Sequence, residues 1–422
     1  MSVDKNYRKQ FLALLSGNTI SQIIPFVLIP FITHFYTKEE IGISANWFSI
    51  VGLIGIITTG RLEVAIPLPK KDIEAKVIFS SGLFITLCIT LLSLLVLPFS
   101  GQIADFYHSP ELKEHIWLTP IGVLSFGLLG LTTNWALRNR RYKRVTIGKV
   151  AQSLINNVGA VLLGFLAFGT SGLLIAWALS QFINAFMLVD KKDFRDKLWS
   201  TKLNLKAIKR VLVKYKEFPL INSLHAFTDI FATQFLLFYF ITIYYSQEEL
   251  ALFFLMTKYV KAPIVLVSGS VSQLYFVEAS KAVANRESGL AIAMKTLKTS
   301  LLFAIPFTII LLIFGPKIFE LYLGADWRDA GVYAQYMAPM FFIFFFVSPL
   351  SSTPLMFNKQ KVSFIFSLIG YIFTLSSIVG GFLLGWEFKN TLALYSLFFS
   401  LYYLSLILWY LKLLRKAELG KK

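Results

Sequence analysis

The chain has 422 residues, of which 56% are AVILMFWYC and 15% are charged, against about 25% charged in a soluble domain. Its 41 Lys+Arg outnumber 23 Asp+Glu, giving a formal charge of +18. A chain this apolar excludes a soluble globular enzyme, a disordered chain and a nucleic-acid binder, and the single cysteine, Cys88, excludes an intramolecular disulfide and a Cys-rich metal site.

A bilayer crossing takes about 20 apolar residues in helix. Charge-free runs lie at 11–33, 41–60, 77–104, 116–137 and 150–189. The last is twice the needed length and carries the turn signal Gly169-Thr170-Ser171-Gly172, so it predicts two crossings. The third has room for a helix and a short surface segment around Pro98. Runs at 218–245, 250–277, 299–323, 330–358, 362–386 and 391–411 complete the set. The fold class expected is an all-α polytopic membrane protein with twelve transmembrane helices in two six-helix lobes around a central cavity.

Placing the N-terminus in the cytoplasm and alternating puts 34 basic residues in inside segments and five outside (Lys38, Lys113, Lys317, Arg328 and Lys389), with Lys258 and Lys261 within a span. Membrane insertion favours that arrangement. Both termini are then cytoplasmic, and the net charge needs no nucleic acid. The basic blocks at 138–144 and 206–216 read as topology signals that also touch anionic membrane lipids. The first run lacks a small-residue cleavage pattern and is long enough to stay as a helix, so no cleavable signal peptide is expected.

The two halves echo each other. Phe35-Tyr36-Thr37-Lys38-Glu39-Glu40 matches Tyr244-Tyr245-Ser246-Gln247-Glu248-Glu249, Ile103-Ala104-Asp105-Phe106-Tyr107 matches Ile318-Phe319-Glu320-Leu321-Tyr322, and Pro120 and Asn139-Arg140 match Pro339 and Asn358-Lys359. The matches are in order, with an offset drifting from 209 to 219 residues. Duplication predicts an N-terminal lobe at 1–190, a basic cytoplasmic linker at 191–216 and a C-terminal lobe at 217–422. Such chains place the substrate path between lobes that rock against one another.

The outside loops are short, too short for the catalytic domain of an integral-membrane glycan-assembly enzyme. No GxxxxGK[ST] run is present, the four His have no metal-ligand spacing, and no pore filter is visible. Neither covalent catalysis nor a bound cofactor is expected. Transport by alternating access remains.

Ionisable residues within spans are costly and therefore functional candidates. Asp229 in span seven and Lys261 in span eight fall at similar depth, with Lys258 one turn away. They read either as a pair across a hydrated cavity or as a structural salt bridge, and His225 lies one turn from Asp229. Arg61 and Glu63 close span two and Arg138 closes span four, at the level where an anionic substrate would meet a guanidinium fork or where side chains simply reach the headgroups. Asn18 and Gln22 on the first helix, with Gln152, Asn156 and Asn157 on the fifth, form polar stripes suited to lining a cavity or to hydrogen bonds between helices. Pro25 and Pro30 bend the first helix.

The segment Arg61-Leu62-Glu63-Val64-Ala65-Ile66-Pro67-Leu68-Pro69-Lys70, the opening Glu217-Phe218-Pro219-Leu220 of span seven, and Glu248-Glu249-Leu250-Ala251 followed by Lys258 and Pro263 resemble bacterial polysaccharide-biosynthesis flippases of the O-antigen (Wzx) type. The resemblance runs over essentially the whole chain. It implies the multidrug/oligosaccharidyl-lipid/polysaccharide exporter fold in the bacterial inner membrane. The implied substrate is a polyprenyl-diphosphate-linked oligosaccharide, as in lipopolysaccharide assembly, moved beside other polysaccharide-assembly membrane proteins. Arg61, Lys258, Lys261 and Arg138 are then the candidate cavity cations. Asp229, Glu63 and His225 are the candidates for coupling to an H+ or Na+ gradient. A drug–cation antiporter of the same fold is the rival, and it would favour an acidic cavity.

Overall fold

The computed structural model describes residues 5–190, 193, 205–215, 223–284, 287–357 and 359–419. The motif 217–220, Asn358 and most of the linker 191–216 lie outside the described residues, as do the side chains of Asn18 and His225. Among the described residues all regular structure is helical.

The long elements in chain order are α1 (Lys5–Phe35), α2 (Lys38–Gly55), α3 (Asp72–Ser93), α4 (Thr119–Arg138), α5 (Tyr142–Phe165), α6 (Thr170–Met187), α7 (Leu205–Lys214), α8 (Ser223–Ile230), α9 (Gln247–Ala284), α10 (Gly289–Leu323), α11 (Arg328–Tyr336), α12 (Ala338–Leu350), α13 (Gln360–Leu383) and α14 (Phe388–Leu419). Each of the twelve predicted runs falls on helix, but nine helices among the described residues are long and apolar enough to cross a membrane. The described apolar part of α1, Thr19–Phe35, is shorter than a full crossing. α2 opens with Lys38, Glu39 and Glu40, and α5 carries Lys149 and three amides, so their composition is less apolar than a lipid-facing span requires.

Several breaks follow the predicted signals. α5 stops at Phe165 and α6 starts at Thr170, with Gly169 at φ +54° in the left-handed region that only glycine enters without strain. After Ser93 the third run becomes a 3-10 turn, Leu94–Phe99, holding Pro98. Other breaks differ from expectation. The second run is helical only to Gly55, and Arg61 and Glu63 sit beyond it in an irregular segment ending in the 3-10 turn Leu62–Ala65. The run 330–358 breaks at Met337 between α11 and α12. Span seven holds a π turn, Phe231–Leu236, between α8 and the helix Leu237–Tyr244.

The chain divides into two compact units, Met1–Tyr239 and Phe240–Lys422. In the first, a core cluster forms around Trp47, Val51, Tyr107, Ile116, Val123 and Leu174, with Phe235 and Tyr239 packed on it. Gly122 admits the Trp47 indole, because a Cβ there would lie 2.7 Å from Cη2. Lipid-facing surface is plain in the second unit, where Leu302, Ile313 and Leu321 of α10 are 71%, 62% and 78% exposed on a helix that is long and apolar enough to cross a membrane. In water each would cost free energy; against hydrocarbon they do not.

Candidate functional site

The basic end of the first unit is built around the segment that follows α2. Leu62, Ala65 and Ile66 are fully buried with Ala75, Ile78, Phe79, Leu131 and Trp135. Their burial draws the backbone into two successive left-handed residues, Gly60 (φ 58°) and Arg61 (φ 56°, ψ 14°). For arginine that conformation costs about 1–2 kcal/mol, which burying the Leu62 and Ile66 side chains offsets. The turn sets Arg61 Nη1 3.5 Å from Glu63 Oε1. Thr59 Oγ1 donates a hydrogen bond to Glu63 Oε2, and the carboxylate is 11% exposed. Arg61 Nε is buried with no hydrogen-bond acceptor among the described residues, so the guanidinium keeps a donor that its neighbours do not use.

Arg138, at the end of α4, turns back on this segment. Its Nη1 donates to the carbonyls of Ile66 (3.2 Å), Pro67 (3.5 Å) and Pro69 (2.6 Å), and Nη2 donates to Asp72 Oδ1 at 2.8 Å. One side chain thus clamps the Pro-containing loop to α4 and to the start of α3. A second clamp was not foreseen. Arg141 grips Asp193 with both Nη1 and Nη2, the latter at 2.9 Å, while Trp135 Nε1 (3.1 Å) and the Asp190 amide (2.7 Å) donate to the same carboxylate. Burial pushes the Asp193 carboxyl up, but these hydrogen bonds, Arg141's first, outweigh it and hold the group below its ordinary value.

Beside them the basic helix α7 docks on α3. Tyr215 donates to Glu74 Oε1 at 2.9 Å and Lys214 bonds the same oxygen. Val211 is buried, whereas Val213 is 63% exposed and Ile73, at the start of α3, 77% exposed. A pocket of about 470 Å3 opens there, with Lys71, Arg210 and Lys214, the last bonded to Glu74 in the same lining, beside Ile73 and Val77. Cations over apolar side chains are the chemistry of an anionic lipid head with its chain attached. The block 206–216 contained this signal, but α3 had to be folded beside it to make a site.

The predicted amides separate. Gln152 Nε2 donates to Gln181 Oε1 (2.9 Å) and Gln152 Oε1 accepts from Asn184 Nδ2 (2.6 Å). Asn157 Nδ2 donates to the Ser153 carbonyl, and Ser153 Oγ donates to the Ser21 carbonyl, both at 2.7 Å. Gln152 and Ser153 therefore stitch α1, α5 and α6 together, with Gln181 and Asn184, two residues that sequence reasoning passed over, on the facing helix, while the Asn157 bond stays within α5. Asn156 is half-buried, and Gln22 Oε1 is buried without a donor among the described residues.

Asp229 belongs to the first unit and Lys258 and Lys261 to the second. Asp229 is exposed and lies two residues before the π turn, a distortion that recurs where helices carry function. Lys258 is exposed on α9, with Nζ 5.7 Å from the Phe254 ring and 5.6 Å from the Tyr259 ring, and has no ion-pair partner among the described residues. Lys261, one turn on, is half-buried.

The model of a family described as "Polysaccharide biosynthesis protein" matches residues 31–331. No curated protein matches the chain. Among solved structures, the lipid II flippase MurJ in an inward closed conformation superposes with TM-score 0.74 at 16% identity, covering 97% of this chain and 90% of that one. An inward-facing multidrug resistance MATE family transporter of the MOP superfamily gives TM-score 0.73 at 15% identity, covering 96% and 99%. A MOP superfamily transporter from Pyrococcus furiosus, described as having a binding pocket of reverse polarity, gives 0.64 at 12% identity, covering 97% and 96%. At such identities the likeness is one of fold.

Proposed function

The chain belongs to the polysaccharide biosynthesis protein family, and on that premise we propose that it is a flippase for a lipid-linked glycan. It carries a polyprenyl-diphosphate-linked oligosaccharide repeat unit from the cytoplasmic to the outer leaflet of the bacterial inner membrane by alternating access. The family match over residues 31–331 is the observation that carries this reading. Family and fold both speak for a transporter rather than an enzyme.

The physical problem is the head of the substrate. A diphosphate and several sugars cannot enter hydrocarbon unaided, while the lipid tail is at home there. The cationic pocket beside α7 receives the phosphate at the membrane surface, with the exposed Ile73 and Val213 reaching acyl chains. Arg61, whose side chain is 28% exposed, and Lys258 and Lys261 neutralise the head on its way, and Arg138 holds the Arg61 segment in place. An ion gradient, H+ or Na+, supplies the work, with Glu63, Asp229 and His225 as the titratable groups at hand.

The test is reconstitution in liposomes holding a fluorescent polyprenyl-diphosphate disaccharide, with arrival in the outer leaflet read by a membrane-impermeant quencher. Wild-type protein should accelerate arrival, and Arg61→Ala, or Lys258→Ala with Lys261→Ala, should slow it by about tenfold or more, the worth of a charge-assisted phosphate contact. Liposomes that flip no faster than protein-free ones would overturn the reading. Gradient-driven movement of an organic cation by the same liposomes would replace it with the drug–cation antiport that the MATE-like fold also permits.

A further inference from the structure

Three helices of the second unit begin around one hollow: α9 at Gln247, α11 at Arg328 and α14 at Phe388. The hollow is a pocket of about 580 Å3, within the range of small-molecule sites. One wall is aromatic. Tyr244 stacks on Phe382 at 4.4 Å between ring centroids, and Tyr245 leans on the buried Phe388 at 4.8 Å. The rim is polar and mixed in kind. Glu249 accepts a hydrogen bond from the Tyr333 hydroxyl, Glu387 pairs with Lys389 at 2.5 Å, and Asp329 is exposed in the first turn of α11.

That chemistry selects among ligands. Among the described residues no three His, Cys, Asp or Glu side chains come close enough to hold a metal ion, so the carboxylates are spread around the rim instead of converging on a point. An organic cation would use the aromatic wall and the three carboxylates, whose charge outweighs that of Lys389, but it leaves the Lys389 donor, paired with Glu387, without a use. A sugar ring uses the wall, the carboxylates and the ammonium. Its hydroxyls both donate and accept, which suits carboxylates next to an ammonium and a phenol, and its apolar C–H face suits tyrosine.

We propose that this pocket is a saccharide-binding site, holding one or two neutral sugar rings against Tyr244 and Tyr245 by hydrogen bonds to Glu249, Asp329 and Lys389. In the orientation set by the basic residues these helix starts face outward, so the site meets glycan on the side to which it is delivered. The choice of a sugar as ligand rests on the flippase reading; the pocket itself does not.

The experiment is saturation-transfer NMR on the detergent-solubilised full chain. The probes are glucose, galactose, N-acetylglucosamine and their disaccharides, with tetraphenylphosphonium as the cation probe. Millimolar binding of at least one saccharide is expected. It should weaken about tenfold in Asp329→Asn and in Lys389→Gln, the loss of one hydrogen bond to a charged group each. Asp329 is exposed, and cooperative thermal unfolding of the same variant in detergent reports that it is folded. Absence of every saccharide signal would overturn the proposal, as would saccharide binding untouched by both substitutions. Tetraphenylphosphonium binding that Asp329→Asn abolishes and Lys389→Gln strengthens would make the pocket a cation site instead. Wild-type protein that flips the lipid-linked disaccharide yet binds no sugar would sink this site and leave the flippase reading standing; sugar binding without flipping would do the reverse.

Discussion

The two matching turns, 35–40 in the first unit and 244–249 in the second, begin from similar residues and end in opposite states. Tyr36 is 2% exposed and donates its hydroxyl to the Ala160 carbonyl at 2.7 Å. Its counterpart Tyr245 is half-buried and shares a hydrogen bond of 2.7 Å with Thr391 Oγ1. The difference lies on a neighbouring helix. A Cβ at Gly172 would sit 2.5 Å from the Tyr36 hydroxyl, and 219 residues on, the repeat offset at that point, stands Thr391. With glycine the tyrosine slides past and seals the turn. With threonine the hydroxyl stops it, and the second unit keeps a pocket where the first is filled. One side chain separates the filled turn from the open one.

The opposite ends of the units diverge as well, and there the largest effect is expected. Arg141 of the first unit aligns at the same offset with Gln360 of the second, so the cation of the Asp193 clamp is not repeated at that position. Asp193 is 5% exposed, and Asp193→Asn strands the Arg141 guanidinium at a cost of about 3 kcal/mol. Because the folded carboxyl titrates below its ordinary value, the clamp contributes its full stability above the usual carboxylate range, near pH 4, and loses it as pH falls through the lower folded value. Thermal unfolding in detergent between pH 3 and 7 should show this acid sensitivity in wild type and not in Asp193→Asn. Equal slopes in both would mean that the two ends differ less than their sequences do.

Exchanging the deciding residues comes next in size. Gly172→Thr forces Tyr36 out of its slot and leaves a buried hydroxyl without a partner, costing about 2–3 kcal/mol. Thr391→Gly removes the stop beneath Tyr245 and costs about 1–2 kcal/mol, from a glycine in a helix and one lost hydrogen bond. Its signature is in binding: Tyr245 sinks, the pocket shrinks and saccharide contact weakens. Thr391→Gly with unchanged sugar binding would show that Tyr245 is held up by something else.

Much of the fold was legible because a bilayer tolerates few solutions. Helix is the only way to satisfy the backbone of an apolar run that is not a closed barrel, so the runs located the helices and Gly169 located a break. The break at Met337 was legible in principle. Pro339 matches Pro120 in the sequence, and both open helices, at α12 and α4, where the missing amide hydrogen costs nothing. Site residues were legible one at a time and not as partners. Arg138 was visible as a cation, but its acceptors are backbone carbonyls about seventy residues away, which no side-chain pattern reveals. Gln181 and Asn184, spaced three apart to face Gln152, left a faint signal inside an otherwise apolar run. Asp193 left none, since one acid beside basic residues has many possible partners.

The smallest predicted difference concerns the caps, and its sign is what matters. Thr37 and Glu40 form a reciprocal capping box: Thr37 Oγ1 accepts from the Glu40 amide at 3.2 Å and Glu40 Oε2 accepts from the Thr37 amide at 2.8 Å. Glu40 is further engaged with the start of α6, where its carbonyl accepts from Thr170 Oγ1 at 3.5 Å. Removing the Thr37 hydroxyl therefore loosens a residue whose backbone carbonyl also anchors the neighbouring helix. In the second unit Ser246 Oγ accepts from the Glu249 amide at 3.1 Å, but the Glu249 carboxylate is held by Tyr333 across the pocket, independently of that hydroxyl. Thr37→Ala should cost about 1–2 kcal/mol and Ser246→Ala about 0.5–1 kcal/mol. Denaturant titration of both variants in one detergent measures the gap. A larger loss from Ser246→Ala would mean that the open turn depends on its cap more than the closed one does, and that Tyr333 does not hold Glu249 in place.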